Sequence, residues 1–296
     1  MTHDLIVIGG SYAGMAAALQ LLRARRNVLV IDAGERRNRL VSHAYGLVGQ
    51  DGVDPAEIAR TARTQLEAYP NLTWIDGRAV AASGAKDDFS VTTDDGQVHF
   101  GRRILFANGV SDTLPEIDGL MDRWSKTVFL CPYCHGYEMD EGEIAVIATG
   151  PLSVHQAQLL PEWGRVTFFT NAALTIDPET RQALTARGVT IEEIPILRLD
   201  GAADVVLTDG RRLAFAGIFT ASQCRPSSPV AQDMGCALME TPMGVLIQTD
   251  EGKATSLPGV FACGDTARMP HTLSLAIGDG AWAGAQIHRS LVFPET

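Results

Sequence analysis

The chain has 296 residues, of which 46% are hydrophobic and 20% charged, and its formal net charge at pH 7 is −11. This acidic balance argues against nucleic acid or an anionic membrane surface as the main partner. The first residues, MTHD, contain no basic leader segment, no apolar run reaches membrane length, and there are five cysteines. We therefore expect a soluble cytoplasmic protein with no membrane segment, and the length favours two domains over one.

A βαβ unit is predicted at the start of the chain. Residues 5–8 (LIVI) and 28–31 (VLVI) have the composition of buried strands, and a helix of small residues is predicted from Met15 to Leu22. The intervening loop, GGSYAG at 9–14, follows the glycine pattern of a dinucleotide-binding turn, except that Ser11 stands at the middle glycine. Without its context the loop is only a glycine-rich turn of some α/β domain, but strand, loop, helix and strand together favour nucleotide binding.

Each position of this loop has a predicted task. Gly9 permits the tight turn, and Gly14 allows the helix to pack closely against the strand. The loop amides and the helix N-terminus bind a pyrophosphate. Asp32, at the end of the second strand, is placed to bind an adenosine ribose. The predicted cofactor-binding residues at this end of the chain are Gly9, Ser11, Tyr12, Ala13, Gly14 and Asp32.

A second group of predicted cofactor contacts lies in the later part of the sequence. Residues 257–265 (LPGVFACGD) predict a strand that ends in Gly-Asp, followed by a helix from about Thr272 to Ile287. An aspartate there can accept hydrogen bonds from ribityl hydroxyls, and the helix N-terminus can stabilise the anionic reduced form of a flavin. Another strand, 104–106, is followed by Asn-Gly. The predicted contacts are Asn108, Gly109, Gly264, Asp265 and Thr272.

Residues 131–136 (CPYCHG) are the most informative segment for chemistry. Cys131 and Cys134 stand three positions apart and can open and close a disulfide with little backbone motion. A helix that starts here would favour a thiolate. The alternative is half of a zinc site, which would need two more ligands, usually a second close pair. The remaining cysteines are scattered, so the sequence predicts redox chemistry and no metal.

Together these motifs identify a family. The order GGSYAG, ANG, CPYCHGYE and PGVFACGD resembles that of the low-molecular-weight thioredoxin reductase family of flavoproteins, over almost the whole chain. The resemblance implies FAD as cofactor, a homodimer, and an α/β fold of two Rossmann-like three-layer domains, in which an NADPH-binding-like domain is inserted into a discontinuous FAD domain. By position, Cys134 matches the cysteine that faces the flavin, and Cys131 the one that exchanges with substrate.

The residue after the second cysteine suggests a particular branch of the family. Thioredoxin reductases have an acidic residue there, whereas this chain has His135. The CHGYE form is more similar to that of flavin-dependent oxidases that close disulfides in small dithiols of the gliotoxin and holomycin kind. His135 is then the candidate base for a thiol, although it could be only a structural histidine at a helix start. His271, just before the last helix, is a second candidate catalytic residue, or merely a helix-entry residue.

The inserted domain bears on the choice between oxidase and reductase. Its strand 143–147 leads into ATGPLS at 148–153, where Ala148 replaces the first glycine of the fingerprint and Pro151 removes an amide donor. No basic residue follows the next strand, at 170–172, to bind a 2′-phosphate. We expect the fold of this domain to be kept and its NADPH to be lost, although NADPH binding through a variant loop stays open.

The predicted domains are 1–112 and 227–296 for FAD, with 113–226 inserted between them and carrying the cysteine pair. The predicted function is an FAD-dependent dithiol oxidase. It closes a disulfide in a small-molecule dithiol and passes the electrons to O2, giving H2O2. Two alternatives remain: a disulfide reductase driven by NADPH or ferredoxin, and a flavin-binding protein without catalysis. The intact cysteine pair disfavours the last of these.

Overall fold

The computed structural model describes residues 2–294 and separates them into two compact units. The first unit comprises 2–39, 47–111 and 224–294, and the second comprises 40–46 and 112–223. The chain therefore leaves the first unit twice, once for a short segment of seven residues and once for the long insertion. Within residues 2–294, no helix is long and apolar enough to cross a membrane.

A five-stranded parallel sheet forms the centre of the first unit. Its strands, in spatial order, are Val260–Ala262, Ile104–Phe106, Leu5–Ile8, Val28–Asp32 and Leu72–Asp76. All residues of Leu5–Ile8 are buried, as expected for a parallel strand covered on both faces. The carboxyl ends of the strands meet at one edge of the sheet, which is where the predicted nucleotide loops begin.

Two smaller sheets are described with this unit. The first contains, in spatial order, Thr2–His3, Val98–Gly101, Asp88–Thr93 and Ala79–Ala85. The second contains Leu238–Thr241, Gly244–Ile247, Gln223–Pro226 and Val110–Thr113. The chain passes between the two units within the last two of these strands. The helices are Tyr12–Arg23, Pro55–Glu67, Val230–Asp233 and Leu273–Val292, with a 3-10 turn at Gly264–Thr266.

The helices Tyr12–Arg23 and Leu273–Val292 pack at very short range. A Cβ added to Gly280 would lie 2.1 Å from the carbonyl oxygen of Ala13, and one added to Gly284 would lie 2.6 Å from that of Ala17. Only glycine permits this approach of two backbones. The contact joins the two ends of the chain and sets the place of both predicted nucleotide loops.

The second unit has its own five-stranded parallel sheet. The strands, in spatial order, are Val128–Phe129, Gly217–Thr220, Glu143–Ile147, Arg165–Phe169 and Thr190–Glu192. An antiparallel sheet is formed by Ile196–Asp200, Asp204–Leu207 and Arg212–Ala214. The helices are Leu120–Arg123, Pro132–His135, Leu152–Leu159 and Pro178–Ala186, with 3-10 turns at Tyr137–Met139 and Leu160–Glu162.

The predicted α/β class with two Rossmann-like units is confirmed, and some boundaries differ. The first helix begins at Tyr12, three positions before the predicted start, because Ser11 is already an extended N-cap residue with φ −88°. A serine is sterically unproblematic at that φ, which explains how it replaces the middle glycine. The last helix continues to Val292, beyond the predicted Ile287, because its buried face extends to Leu291.

We expect Gly280→Ala to destabilise the protein, because its methyl group would force the backbones of two helices apart. Overpacking of this kind costs about 1–3 kcal/mol. Gly278→Ala, on the same helix, is the matched control, since its Cβ would meet no atom within 4 Å and alanine favours the helix by about 0.5–1 kcal/mol. Urea unfolding of both variants provides the measurement. A Gly280→Ala protein as stable as the Gly278→Ala protein would contradict the proposed contact.

Candidate active site: a flavin-binding region and a redox disulfide

The first glycine loop has the geometry of a nucleotide turn. Gly9 has φ +105°, and a Cβ there would lie 2.5 Å from the carbonyl oxygen of Ala107. A Cβ on Gly14 would lie 1.9 Å from the carbonyl oxygen of Gly9, so the helix can approach the loop only because Gly14 has no side chain. The Gly10 amide donates to Asp32 Oδ1 at 3.0 Å, which fixes the predicted ribose-binding carboxylate against the loop.

The helix that follows begins with unsatisfied backbone donors. The first N–H groups of any helix have no intrahelical partner, and the Ser11 side chain makes no capping hydrogen bond. The predicted contacts Ser11, Ala13 and Gly14 can therefore contribute backbone amides to an anion. Tyr12 differs from them in its side chain, because its hydroxyl donates to the carbonyl of Pro55 at 3.0 Å. Burial raises the pKa of this phenol, so it stays neutral.

The Gly264-Asp265 turn lies against the first helix. A Cβ on Gly264, which has φ +71°, would lie 2.7 Å from the Cβ of Ala13. The Gly264 amide donates to Asp279 Oδ2 at 2.9 Å, and Lys253 Nζ pairs with Asp279 Oδ1 at 2.6 Å. Sequence reasoning missed this ion pair, since a buried aspartate in the middle of a helix gives no local signal of its partner. The pair holds the turn that presents Asp265.

Arg37 connects the predicted residues of this region. Its Nη1 lies 3.3 Å from Asp265 Oδ2 and 2.8 Å from His271 Nδ1, and its Nη2 lies 3.4 Å from Cys224 Sγ. A guanidinium only donates, so His271 Nδ1 must accept and the ring is neutral with its proton on Nε2. In this state His271 offers an N–H at Nε2 and no lone pair there. These contacts of Arg37 could not be predicted, because its partners are remote in the chain.

The remaining three predicted contacts, Asn108, Gly109 and Thr272, have mixed roles. Asn108 Nδ2 lies 3.3 Å from the carbonyl of Gly109, which has φ +67°. The hydroxyl of Thr272 accepts from the Leu275 amide at 3.2 Å and so caps the last helix. Its position at the helix start is as predicted, but its side chain is committed to the cap.

Buried polar atoms in the first unit fit a large polar ligand. Asn38 Oδ1, Asn108 Oδ1 and Thr266 Oγ1 are buried and have no hydrogen-bond partner among the described residues. Buried polar atoms are normally paired, so such orphans call for a partner from outside the chain. With the helix amides and Asp32, these residues fit FAD, which they would hold at its pyrophosphate, ribose and polar edges.

The two cysteines of the second unit form a disulfide. Cys131 and Cys134 are bonded with their Cα atoms 5.3 Å apart. Cys131 is the extended N-cap of the short helix Pro132–His135, whose first residue has no N–H. A Cβ on Gly136 would lie 2.6 Å from the Pro132 carbonyl oxygen and 2.8 Å from Trp163 Cγ, so the turn after the motif requires glycine. The other cysteines of the described chain are buried and outside any disulfide.

His135 lies among aromatic rings. Its ring stacks on Phe129 with centroids 4.2 Å apart, and Tyr45 meets it edge-on at 6.2 Å. Burial lowers the pKa of His135 to about 4. The histidine is therefore neutral at physiological pH, and it is a much weaker base than an ordinary imidazole. Tyr45 comes from the segment 40–46, a contribution that no sequence pattern indicated.

The loop of the second unit differs from the first at the decisive positions. Ser153 stands where the first loop has Gly14, and its hydroxyl, fully buried inside the loop, accepts from the Thr149 amide at 3.0 Å. Ala148 is not among the described residues with positive φ, unlike Gly9. Pro151 is the N-cap of the helix Leu152–Leu159 and has no N–H to offer.

The residues that follow the strand Arg165–Phe169 are uncharged, and two of them are hydrogen-bonded within the chain. Thr170 donates its amide to the carbonyl of Glu192 at 3.0 Å, and Asn171 Oδ1 accepts from the Ile196 amide at 2.9 Å. Asn171 and Ala172 both have positive φ, at 47° and 54°. These residues close a turn, and none of them is cationic.

Metal chemistry was the alternative for the cysteine pair. Among the residues that the structure describes, no group of three or more His, Cys, Asp or Glu side chains is arranged to hold a metal ion. The two thiols are joined to each other, which is the arrangement of a redox pair.

A nucleotide-binding unit with FAD-fitting loops, followed by a parallel α/β unit with a redox disulfide, defines a flavin-dependent disulfide oxidoreductase. The model of one family, "Pyridine nucleotide-disulphide oxidoreductase", matches residues 3–280. The chain belongs to this family and is an FAD-dependent thiol–disulfide oxidoreductase. The predicted thioredoxin reductase-like membership and the predicted FAD are confirmed.

Several individual proteins are similar over all or nearly all of their length. The chain is 28% identical to thioredoxin reductase tcpT of Claviceps purpurea (strain 20.1), covering 98% of this chain and 94% of that protein. A solved structure of an oxidoreductase from Agrobacterium tumefaciens matches with a TM-score of 0.98 and 52% identity, over 100% of both chains. The structure of HlmI matches with a TM-score of 0.91 and 32% identity, over 98% of this chain and 93% of that one.

Asp265→Ala should weaken FAD binding, because Arg37 would lose its carboxylate partner and the turn its predicted ribityl contact. We expect the dissociation constant of FAD to rise roughly 10-fold or more, the scale of a charged hydrogen bond. Fluorescence titration of the cofactor-stripped protein measures it. Asp233→Ala removes an exposed aspartate of the same unit and should leave FAD binding unchanged. Equal affinities for both variants would argue against the site.

The lowered pKa of His135 predicts how stability depends on pH. Unfolded chains protonate histidine near pH 6.5, whereas the folded protein resists protonation down to about pH 4. Stability should therefore fall as the pH falls from 6.5 towards 4, because the unfolded state binds more protons. His135→Gln should weaken this loss, and His155→Gln, which removes an exposed histidine, serves as control. Unfolding midpoints in urea at pH 7 and pH 5 provide the test. An unaltered pH dependence in His135→Gln would refute the assignment.

Proposed function

We propose that the protein is an FAD-dependent dithiol oxidase that closes a disulfide in a small-molecule dithiol and uses O2 as the final electron acceptor. The net reaction converts the dithiol and O2 into the disulfide and H2O2. Bound FAD would supply the two-electron transfer from thiols to oxygen. A homodimer, as the family resemblance implies, is part of the proposal.

The observation that carries the proposal is the loop at 148–153. Ser153 fills the space that a dinucleotide loop leaves open with glycine, and Pro151 removes a backbone donor. The next strand ends in uncharged residues whose polar groups are engaged within the chain. If this loop does not bind NADPH, thiols are the proposed source of the electrons and another acceptor receives them. This argument supports the oxidase direction over an NADPH-driven reductase.

The Cys131–Cys134 disulfide can accept two electrons from a substrate dithiol by thiol–disulfide exchange. A substrate thiolate attacks Cys131, the S–S bond breaks, and Cys134 leaves as a thiolate while a mixed disulfide forms. The second substrate thiol then displaces Cys131 and releases the product disulfide. The enzyme pair is thereby reduced by two electrons and the substrate oxidised by two.

The role of His135 follows from its surroundings. Its ring is neutral at neutral pH, with a proton on one nitrogen only, so the other nitrogen can accept a hydrogen bond from an incoming thiol. Proton transfer from a thiol of pKa roughly 8.5 to a base of pKa about 4 is unfavourable in free energy. The proposed general base is therefore effective only if reduction or substrate binding raises its basicity.

The alternative with a specific observation in its favour is the NADPH-driven reductase. The matched family is described by its pyridine nucleotide, and several relatives are called thioredoxin reductases. The fold of the second unit is also that of a nucleotide domain. This alternative requires that NADPH bind without the glycine turn.

Anaerobic reduction of the flavin separates the two functions. Under the proposal, a small dithiol such as dithiothreitol bleaches the flavin absorbance, while NADPH at micromolar concentration does so slowly or not at all. The reason is that Ser153 and Pro151 deprive the dinucleotide of its loop. Cys131→Ser is the control, because it should lose the dithiol response. Rapid bleaching by NADPH would overturn the oxidase assignment. Under the proposal, readmission of air to the dithiol-reduced sample should yield one H2O2 per product disulfide.

A further inference from the structure

Gln156 makes an unexpected contact with the segment that carries the disulfide. Its Nε2 donates to the carbonyl oxygen of Leu130 at 2.8 Å. Because a carbonyl only accepts, the amide nitrogen must face it, and the orientation of the side-chain amide is fixed. Leu130 directly precedes Cys131, so this carbonyl belongs to the same planar peptide group as the Cys131 amide.

The burial of Gln156 makes the contact costly as a purely structural device. The side chain is 8% exposed, and its Oε1 is buried without a hydrogen-bond partner among residues 2–294. A buried amide that satisfies only one of its ends contributes little net stability. The effect of Gln156 must therefore be sought where its single hydrogen bond acts, which is the peptide group before Cys131.

The helix that bears Gln156 is the one that follows the altered nucleotide loop. Ser153, Gln156 and Ala157 form its buried face. Ser153 closes the loop at the start of the helix, and Gln156, one turn later on the same face, reaches the cysteine segment. The first turn of this helix is thus held by the loop, and its next turn contacts the peptide group that precedes Cys131.

We propose that Gln156 is a positioning residue for Cys131. By holding the Leu130–Cys131 peptide plane, it limits rotation about the bond that directs the Cys131 side chain towards Cys134. The hydrogen bond thereby favours the closed disulfide over the open dithiol and returns Cys131 to the closing geometry after each exchange. The inference rests on the proposed exchange role of Cys131, and it does not depend on which acceptor finally receives the electrons.

The equilibrium between the cysteine pair and glutathione tests the proposal directly. Two glutathione molecules reduce the disulfide to two thiols and become one glutathione disulfide, so the electrons balance. We would equilibrate the holoenzyme anaerobically in glutathione buffers, quench with acid, alkylate, and count modified cysteines by mass spectrometry. Gln156→Met should lower the equilibrium constant for disulfide formation roughly 3- to 10-fold, the scale of one net hydrogen bond. A 10-fold change corresponds to about 30 mV for this two-electron couple.

Gln158→Met is the matched control, since it makes the same replacement two positions away on the same helix. It should leave the equilibrium unchanged, and both variants should keep their thermal midpoints within about 4 °C of the wild type. An unchanged equilibrium in Gln156→Met, or an equal shift in Gln158→Met, would overturn the proposal. Gln156→Asn, too short to reach the carbonyl, gives the same test if the methionine variant does not fold.

The outcome of this measurement is independent of whether the oxidase assignment is correct. If NADPH proves to be the reductant but Gln156→Met shifts the glutathione equilibrium, the positioning role stands and the proposed function falls. If only dithiols reduce the flavin and Gln156→Met leaves the glutathione equilibrium unchanged, the proposed function stands and the positioning role falls.

Discussion

The close approach of the helices Tyr12–Arg23 and Leu273–Val292 is the contact on which the cofactor-binding region depends. Two glycines on the second helix let its backbone lie directly against the first. The contact places the Gly264-Asp265 turn beside Ala13, and so beside the first loop. Each loop alone offers only part of a binding surface. The small residues of the two helices are therefore as necessary for a composite flavin site as the residues that would touch the flavin.

The same fold pattern has different consequences in the two units. In the first, glycines at both ends of the loop leave space, and an acidic side chain at the next strand end orients the loop amide. In the second, the Ser153 side chain occupies the space inside the loop. Its hydroxyl accepts from the Thr149 amide, as the Asp32 carboxylate accepts from the Gly10 amide in the first. The sheet and the helix persist, since their stability comes from buried apolar faces that do not depend on the ligand. Under the proposed function, the second unit keeps its fold without NADPH, because its core and the loop use different residues.

The sequence was sufficient for whatever depends on local pattern. The βαβ unit, the cysteine pair and the altered loop at 148–153 were predictable, because strand periodicity, glycine spacing and proline each act within a few residues. The ion pair of Asp279, the contacts of Arg37 and the packing of Tyr45 on His135 were not, because each joins segments remote in sequence. Long-range polar contacts have no period, so only the folded chain shows which side chain meets which. His135 illustrates the point: its pKa is lowered by burial among rings that the motif does not contain, so the sequence alone could not show how basic the side chain is.

The neutral state of His135 has a consequence for the kind of thiol that suits the site. An imidazolium beside the pair would stabilise the departing thiolate and open the disulfide to many thiols. A neutral, desolvated imidazole gives no such help. Under the proposed function, attack on Cys131 then expels a less stabilised thiolate, and the first exchange is readily reversed. A monothiol that attacks is then expelled again. A dithiol carries its second thiol into the mixed disulfide at high effective concentration, and ring closure completes the exchange before reversal. Under the proposed function, selectivity for dithiols therefore follows from the aromatic surroundings of one histidine and needs no specific contact to the rest of the substrate.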